Sequence, residues 1–149
     1  MAAKISSSLP RITVAAEDYL EKIEQLIARK GYARVVDIAA ELKISQASVT
    51  AMVQKLDGEG FVKYEKYRGM VLTSSGLEVA RRIAHRHQLL TDFLRTIGVA
   101  DEKVIYDDVE GMEHHISPET FKAIEALTRY LEKNPSLITK ARMATKAGK

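Results

Sequence analysis

Twice between residues 35 and 56 apolar side chains recur at helical spacing, with room only for a tight turn between the two runs. The first run puts Ile38, Ala39 and Leu42 on one face, and the second puts Val49, Met52, Val53 and Leu56 there. Lys43 and Ile44 make the turn, and the hydroxyl of Ser45 is placed to cap the second helix. Small Ala39 at the crossing lets the two helices approach closely, as a helix-turn-helix requires. Asp57-Gly-Glu-Gly60 then breaks the pattern, and residues 61–66 and 70–73 read as short strands around Tyr67-Arg68-Gly69. A helix-turn-helix followed at once by a hairpin is a winged helix.

That fold carries its chemistry on the exposed face of the second helix. Here the face holds Ser45, Gln46, Ala47, Ser48, Thr50 and Lys55, short or polar groups suited to base edges and phosphates in a major groove. Lys63, Lys66 and Arg68 fall on the hairpin, where they can touch the DNA backbone or minor groove. The plain alternative is an amphipathic hairpin with a solvated face and a charged tip. Three basic residues directly after such a helix favour DNA.

The rest of the chain reads as helices. Residues 1–13 form a loose, mildly basic arm in which Lys4 and Arg11 are candidates for phosphate contact. A helix over residues 14–30 buries Tyr19, Ile23, Leu26 and Ile27, and Gly31 ends it. Asp18, Glu21 and Gln25 form a separate polar stripe on it. Ser75-Gly-Leu-Glu78 fits a capping box that opens a long helix over residues 75–97. Asp101 caps a helix running to about Ile116. Ser117 and Pro118 start another, to about Lys133, burying Phe121, Ile124, Leu127 and Leu131. After Asn134-Pro135 a short basic tail follows. No apolar run approaches the length of a membrane span, and no signal-peptide pattern opens the chain, so a cytoplasmic protein is expected.

The stretch Asp108-Val-Glu110-Gly-Met-Glu113-His114-His115 stands apart. On a helix it sets Glu110, Glu113 and His114 side by side, with His115 pointing elsewhere. Carboxylates converging without a basic partner repel, and a divalent cation would relieve that. A solvated acidic face is the bland alternative; a lone histidine such as His85 is read as structural or surface. The chain has no cysteine, so carboxylate and imidazole are its only strong metal ligands.

A winged helix, a long connecting helix and an acidic His-bearing helix together resemble the diphtheria toxin repressor family of metal-dependent repressors, and within it the manganese transport regulators. The similarity runs from about Ala16 to Leu131. It is densest at Glu17-Asp-Tyr-Leu-Glu21, Val49-Thr-Ala-Met-Val-Gln-Lys-Leu56, Tyr64-Glu-Lys-Tyr-Arg-Gly69, Arg86-His87 and the acidic stretch. The resemblance implies six metal ligands, Asp18, Glu21, His87, Glu110, Glu113 and His114, holding two Mn(II) ions. It further implies that iron-responsive relatives place sulfur at the positions matching Asp18 and Glu110. Oxygen at both favours the harder Mn(II), while Fe(II), Co(II), Zn(II) or Cd(II) could substitute.

The architecture so implied is mainly α: an arm (1–13), a winged-helix DNA-binding domain (14–74), a linking helix (75–97) and a helical metal-binding and dimerisation domain (98–149), with no SH3-like domain. The partners are palindromic operator DNA and a second copy of the chain, with no membrane and no organic cofactor. Manganese-uptake genes would be repressed when Mn(II) is plentiful. An imidazole ligates only when neutral, so the response should weaken below about pH 6.5. Two rivals remain. A winged-helix regulator indifferent to metal would leave the acidic cluster unexplained. A carboxylate-bridged dimetal enzyme would need Glu-x-x-His pairs from two helices, and the chain has one Glu110-x-x-Glu113-His114.

Overall fold

The structure, a computed structural model, describes residues 12–148. The arm contacts expected of Lys4 and Arg11 lie outside the described residues. Two compact units divide at Arg81/Arg82, within α4 (Ser74–Ile97).

The first unit holds α1 (Val14–Lys30), α2 (Val35–Leu42), α3 (Gln46–Gly58), β1 (Val62–Glu65), β2 (Gly69–Leu72) and the start of α4. Thr13 caps α1, and Gly31 ends it with φ 82°, a left-handed conformation that costs glycine little. Lys43 takes the same region at φ 55°, closing α2 without the glycine common at such turns. The Ser45 hydroxyl accepts from the Ser48 amide, as the sequence suggests. Leu20, Ile23, Leu26, Ile38, Val53 and Leu56 are fully buried and make the centre of this core. Ile27 and Met52, expected inside, pack against it half-buried. Glu41 ties α2 to Arg29 and Lys22 of α1; its hydrogen bond to Arg29 holds the carboxyl below the usual glutamate range.

The hairpin is antiparallel, with Lys63 opposite Val71 and Glu65 opposite Gly69. Met70 also donates to the Ala33 carbonyl at 3.2 Å, which anchors the wing to the chain between α1 and α2. The long helix begins at Ser74, and the capping box expected at Ser75 does not form. Thr73 is the cap: its hydroxyl accepts from the Gly76 amide at 3.2 Å and donates to the Gly60 carbonyl at 2.7 Å. A Cβ at Gly76 would collide with the Phe61 carbonyl, so only glycine allows this close start.

The second unit holds the rest of α4 with α5 (Glu102–Met112), α6 (Pro118–Glu132) and α7 (Pro135–Ala147). Leu90 and Leu94 of α4 pack on Ile105 and Val109 of α5. Asp101 and Ser117 cap α5 and α6 as expected. Two expectations need correction, and the tail, whose order the sequence left open, is resolved. Helix α5 stops at Met112, not near Ile116; Gly111 weakens its last turn, and Glu113 is its C-cap. The apolar residues of α6 are not all core: Ile124 packs against the α4–α5 cluster and Phe121 meets His85 and Arg86, but Phe121, Ile124 and Leu131 stay half-buried and Leu127 is 47% exposed, because the unit covers this face only in part. The basic tail is a helix: Asn134 and Pro135 start α7, and Arg142 donates to the Arg95 and Thr96 carbonyls at the end of α4. No helix among the described residues is long and apolar enough to cross a membrane.

Candidate functional site

In the second unit His87, Glu110 and Glu113 bring one ligand atom each within 4.8 Å of one another. His87 Nδ1 lies 3.0 Å from Glu113 Oε2 and 3.4 Å from Glu110 Oε1. Helix α4 supplies the imidazole, and α5 and its C-cap supply the carboxylates. Although α5 ends early, Glu113 keeps helical φ and ψ of −60° and −30°, so it still lies beside Glu110, one turn on. His114 follows with its side chain 4% exposed and Nε2 3.4 Å from Glu113 Oε1.

Glu113 is the unusual member. It is fully buried, and its Oε1 has no hydrogen-bond partner among the described residues. A buried carboxylate oxygen left in that state is costly unless positive charge meets it. An ionised carboxylate only accepts, so this contact with an ionised Glu113 requires the imidazole tautomer that carries its proton on Nδ1. Two carboxylates and one imidazole, with His114 beside Glu113, are donors that suit a hard or borderline divalent ion, and their burial runs from exposed Glu110 to fully buried Glu113.

Asp18 and Glu21 lie on α1 of the first unit, three residues apart and therefore on one face. In that unit Ser45, Gln46, Ala47, Ser48 and Lys55 are exposed and Thr50 is half-buried, all at or on α3. Lys63, Lys66 and Arg68 are exposed on the wing. Lys55 has Glu59 at 3.9 Å, and Arg68 has Glu65 at 3.4 Å. Between α2, α3 and the wing runs a cleft of about 310 Å³ lined by Arg34, Val36, Gln46, Thr50, Lys66 and Tyr67.

The sequence matches the iron-dependent repressors twice: their N-terminal DNA binding domain over residues 11–70, and their metal binding and dimerisation domain over residues 73–138. The chain belongs to the iron-dependent repressor family. Among relatives of this family, the HTH-type transcriptional regulator MntR of Lysinibacillus sphaericus (strain C3-41) is 52% identical over 128 residues, covering 86% of this chain and 91% of its own. MntR of Bacillus subtilis (strain 168) is 53% identical over 122 residues, covering 82% of this chain and 85% of its own. Both are named as transcriptional regulators, which sets the chain among regulators and not among dimetal enzymes.

Solved family structures agree in fold. The manganese regulator SloR matches with TM-score 0.67 and 29% identity over 77% of this chain. A manganese-dependent transcriptional repressor in complex with manganese matches with TM-score 0.68 and 25% identity, also over 77% of this chain. The chain spans about half the length of these solved relatives, 54% and 53%. The winged helix and helical second region expected from the sequence are therefore those of the family.

Sequence reasoning gave no role to three residues beside these sites, although Tyr67 and Arg86 stand in stretches that carry the resemblance. Arg34 and Tyr67 line the cleft; Arg34 lies 4.8 Å over the Tyr32 ring, and Tyr67 is 90% exposed at the wing tip with φ 69°. An aromatic in left-handed conformation at a hairpin tip is visible only once the turn is seen. Arg86 is the third. Its neighbour His87 drew notice in the sequence, whereas the arginine's own partner is a main-chain carbonyl, which no side-chain pattern reveals.

Proposed function

We propose that this chain is a Mn(II)-dependent repressor of manganese uptake, with a metal centre built on His87, Glu110, Glu113 and His114 and completed by Asp18 and Glu21. The observation that carries it is the convergence of His87 and Glu110 on buried Glu113, one of whose oxygens lacks a hydrogen-bond partner among the described residues. The names of the relatives, MntR and manganese-dependent repressor, supply the ion. Oxygen at Asp18 and Glu110 agrees with a hard cation, and Fe(II), Co(II), Zn(II) or Cd(II) would also be held, because affinity alone rises toward later metals. Six donors exceed what one six-coordinate ion with water needs. Two ions per chain follow, with Glu21 and Glu113 as the bridging candidates.

A bound cation supplies the positive charge that lets four carboxylates and two imidazoles from separate helices converge. Without it, carboxylates gathered at one centre would repel. Ligands drawn from α1 as well as from α4 and α5 would narrow the orientations available to the DNA-binding part. Two recognition helices of a two-fold dimer must reach major grooves about 34–36 Å apart on a palindromic operator, so narrowing removes an entropic penalty. DNA must in turn tighten metal binding by the same factor, about 1–3 kcal/mol in typical cases. The second copy of the chain docks on the apolar face that the second unit leaves bare, where Val104, Leu127 and Tyr130 are 45%, 47% and 58% exposed. A regulator of this kind works in the cytoplasm, where its operator lies.

On DNA, Ser45, Gln46, Ala47, Ser48 and Thr50 meet base edges and flanking phosphates; Lys55, Lys63, Lys66 and Arg68 meet the backbone. The test compares two variants in saturating Mn(II). Gln46→Ala is expected to lose about 1–3 kcal/mol on the preferred site and to discriminate less between sequences. The double variant Lys66→Ala, Arg68→Ala is expected to weaken binding evenly across sequences. It should also flatten the slope of log affinity against log salt by roughly 0.9 for each lost phosphate contact. Gln46→Ala with wild-type specificity, or an unchanged salt slope in the double variant, would contradict this interface.

A further inference from the structure

Arg86 precedes His87 in α4, so its side chain leaves the helix about 100° round from the imidazole. Its Nη1 donates to the main-chain carbonyl of Glu113 at 3.1 Å. The same guanidinium lies 5.5 Å over the ring of Phe121, in the first turn of α6. Glu113 is the C-cap of α5, where carbonyls have run out of helical donors and a cation is favoured. One planar side chain thus joins α4, the end of α5 and the start of α6.

The joint bears on the metal centre because Glu113 contributes both groups. Its carbonyl is held by Arg86, and its carboxylate meets His87 at 3.0 Å. Fixing the carbonyl fixes the Cα and so the direction in which the buried carboxylate points. His114 comes next in the chain and inherits the same anchor. The turn behind it relies on two amides, His115 and Ile116, both donating to the Met112 carbonyl at 3.0 and 3.2 Å.

We propose that Arg86 is a positioning residue for the metal centre, clamping the main chain of Glu113 so that the carboxylates and imidazoles meet before an ion arrives. This rests on reading the cluster as a metal centre. Charge and positioning predict opposite signs here. A guanidinium close to a cation site repels the cation, so deleting its charge alone would tighten binding. Losing the clamp would weaken it.

The experiment titrates Mn(II) into the full chain as wild type, Arg86→Met and Arg86→Lys, and follows amide hydrogen exchange in the metal-free proteins. Arg86→Met is expected to weaken Mn(II) binding about 10–100-fold, the range for partners that orient metal ligands. In the metal-free protein it should speed exchange at His115 and Ile116 while leaving Ile23 of α1 unchanged. Arg86→Lys keeps a charged donor and should recover part of both losses. Unchanged or tighter Mn(II) binding in Arg86→Met overturns the proposal, as does exchange that rises equally everywhere. If Arg86→Met does not fold, Arg86→Lys decides: weakening in the same direction, smaller in size, supports the clamp, and wild-type affinity overturns it. Wild-type protein that takes up no Mn(II) overturns the metal reading and the clamp together. Wild-type uptake with an unaffected Arg86→Met removes the clamp alone.

Discussion

Titrated with Mn(II), Glu113→Gln is expected to lose more than about 100-fold in affinity, beyond the range for groups that only orient ligands. In the absence of metal the same variant should melt no lower than the wild type. Both follow from one residue. Glu113 is fully buried, its Oε2 is shared with His87, and its Oε1 has no hydrogen-bond partner among the described residues. In the proposed centre, that buried negative charge would serve as a ligand. Without an ion it is a buried charge met, among the described residues, only by the His87 contact at Oε2 and by His114 at 3.4 Å from Oε1, and a neutral amide of the same shape relieves that cost. A rise of roughly 2–4 °C per kcal/mol relieved is the scale for a chain of this size. The wild type should bind two ions per chain and the variant at most one. A wild-type count of one would sink the bridged pair, and a variant that binds like the wild type would remove Glu113 from the centre.

Leu127→Glu is expected to leave the protein monomeric. Leu127 and Tyr130 on α6 and Val104 on α5 are exposed in the single chain, although the spacing of the α6 residues marks a face meant for burial. Placing a carboxylate in the middle of a dimer interface leaves a buried charge unpaired, at a cost of several kcal/mol. Every 1.4 kcal/mol is tenfold in the dissociation constant, so a loss of at least about 100-fold is expected. Sedimentation should show a dimer for the wild type and a monomer for the variant at the same micromolar concentration. Metal uptake should survive, and binding to a palindromic site should fall, because one half-site contact replaces two. A variant that stays dimeric would place the second copy elsewhere.

What was legible in the sequence was local. Gly31, Ser45, Asp101 and Ser117-Pro118 each mark a helix end through their own conformational or hydrogen-bonding limits, and each does so in the structure. The grouping of Glu110 and Glu113 was legible for the same reason, since neighbours on one helix follow from spacing. What failed was decided by partners distant in sequence. Ser75 and Thr73 both precede a helical pattern, and Thr73 wins because its hydroxyl also reaches Gly60. Periodicity identified an apolar face on α6 but not what covers it. The basic composition of the tail hid α7, whose Arg142 finds carbonyls 46 and 47 residues earlier. The full ligand set came from resemblance, because nothing in the spacing of Asp18 and Glu21 relates them to residues some 65 or more positions away.

The central claim is that metal licenses DNA binding. It is tested most directly by measuring the affinity of metal-stripped protein for genomic fragments at one fixed salt concentration, with chelator, Mn(II), anaerobic Fe(II) or Zn(II). Fixed salt matters because phosphate contacts make affinity steeply salt-dependent. The account predicts tight, sequence-selective binding with Mn(II) and little beyond the nonspecific level with chelator. Equal, selective binding in chelator and in Mn(II) would contradict it, leaving a winged-helix regulator that ignores the ion.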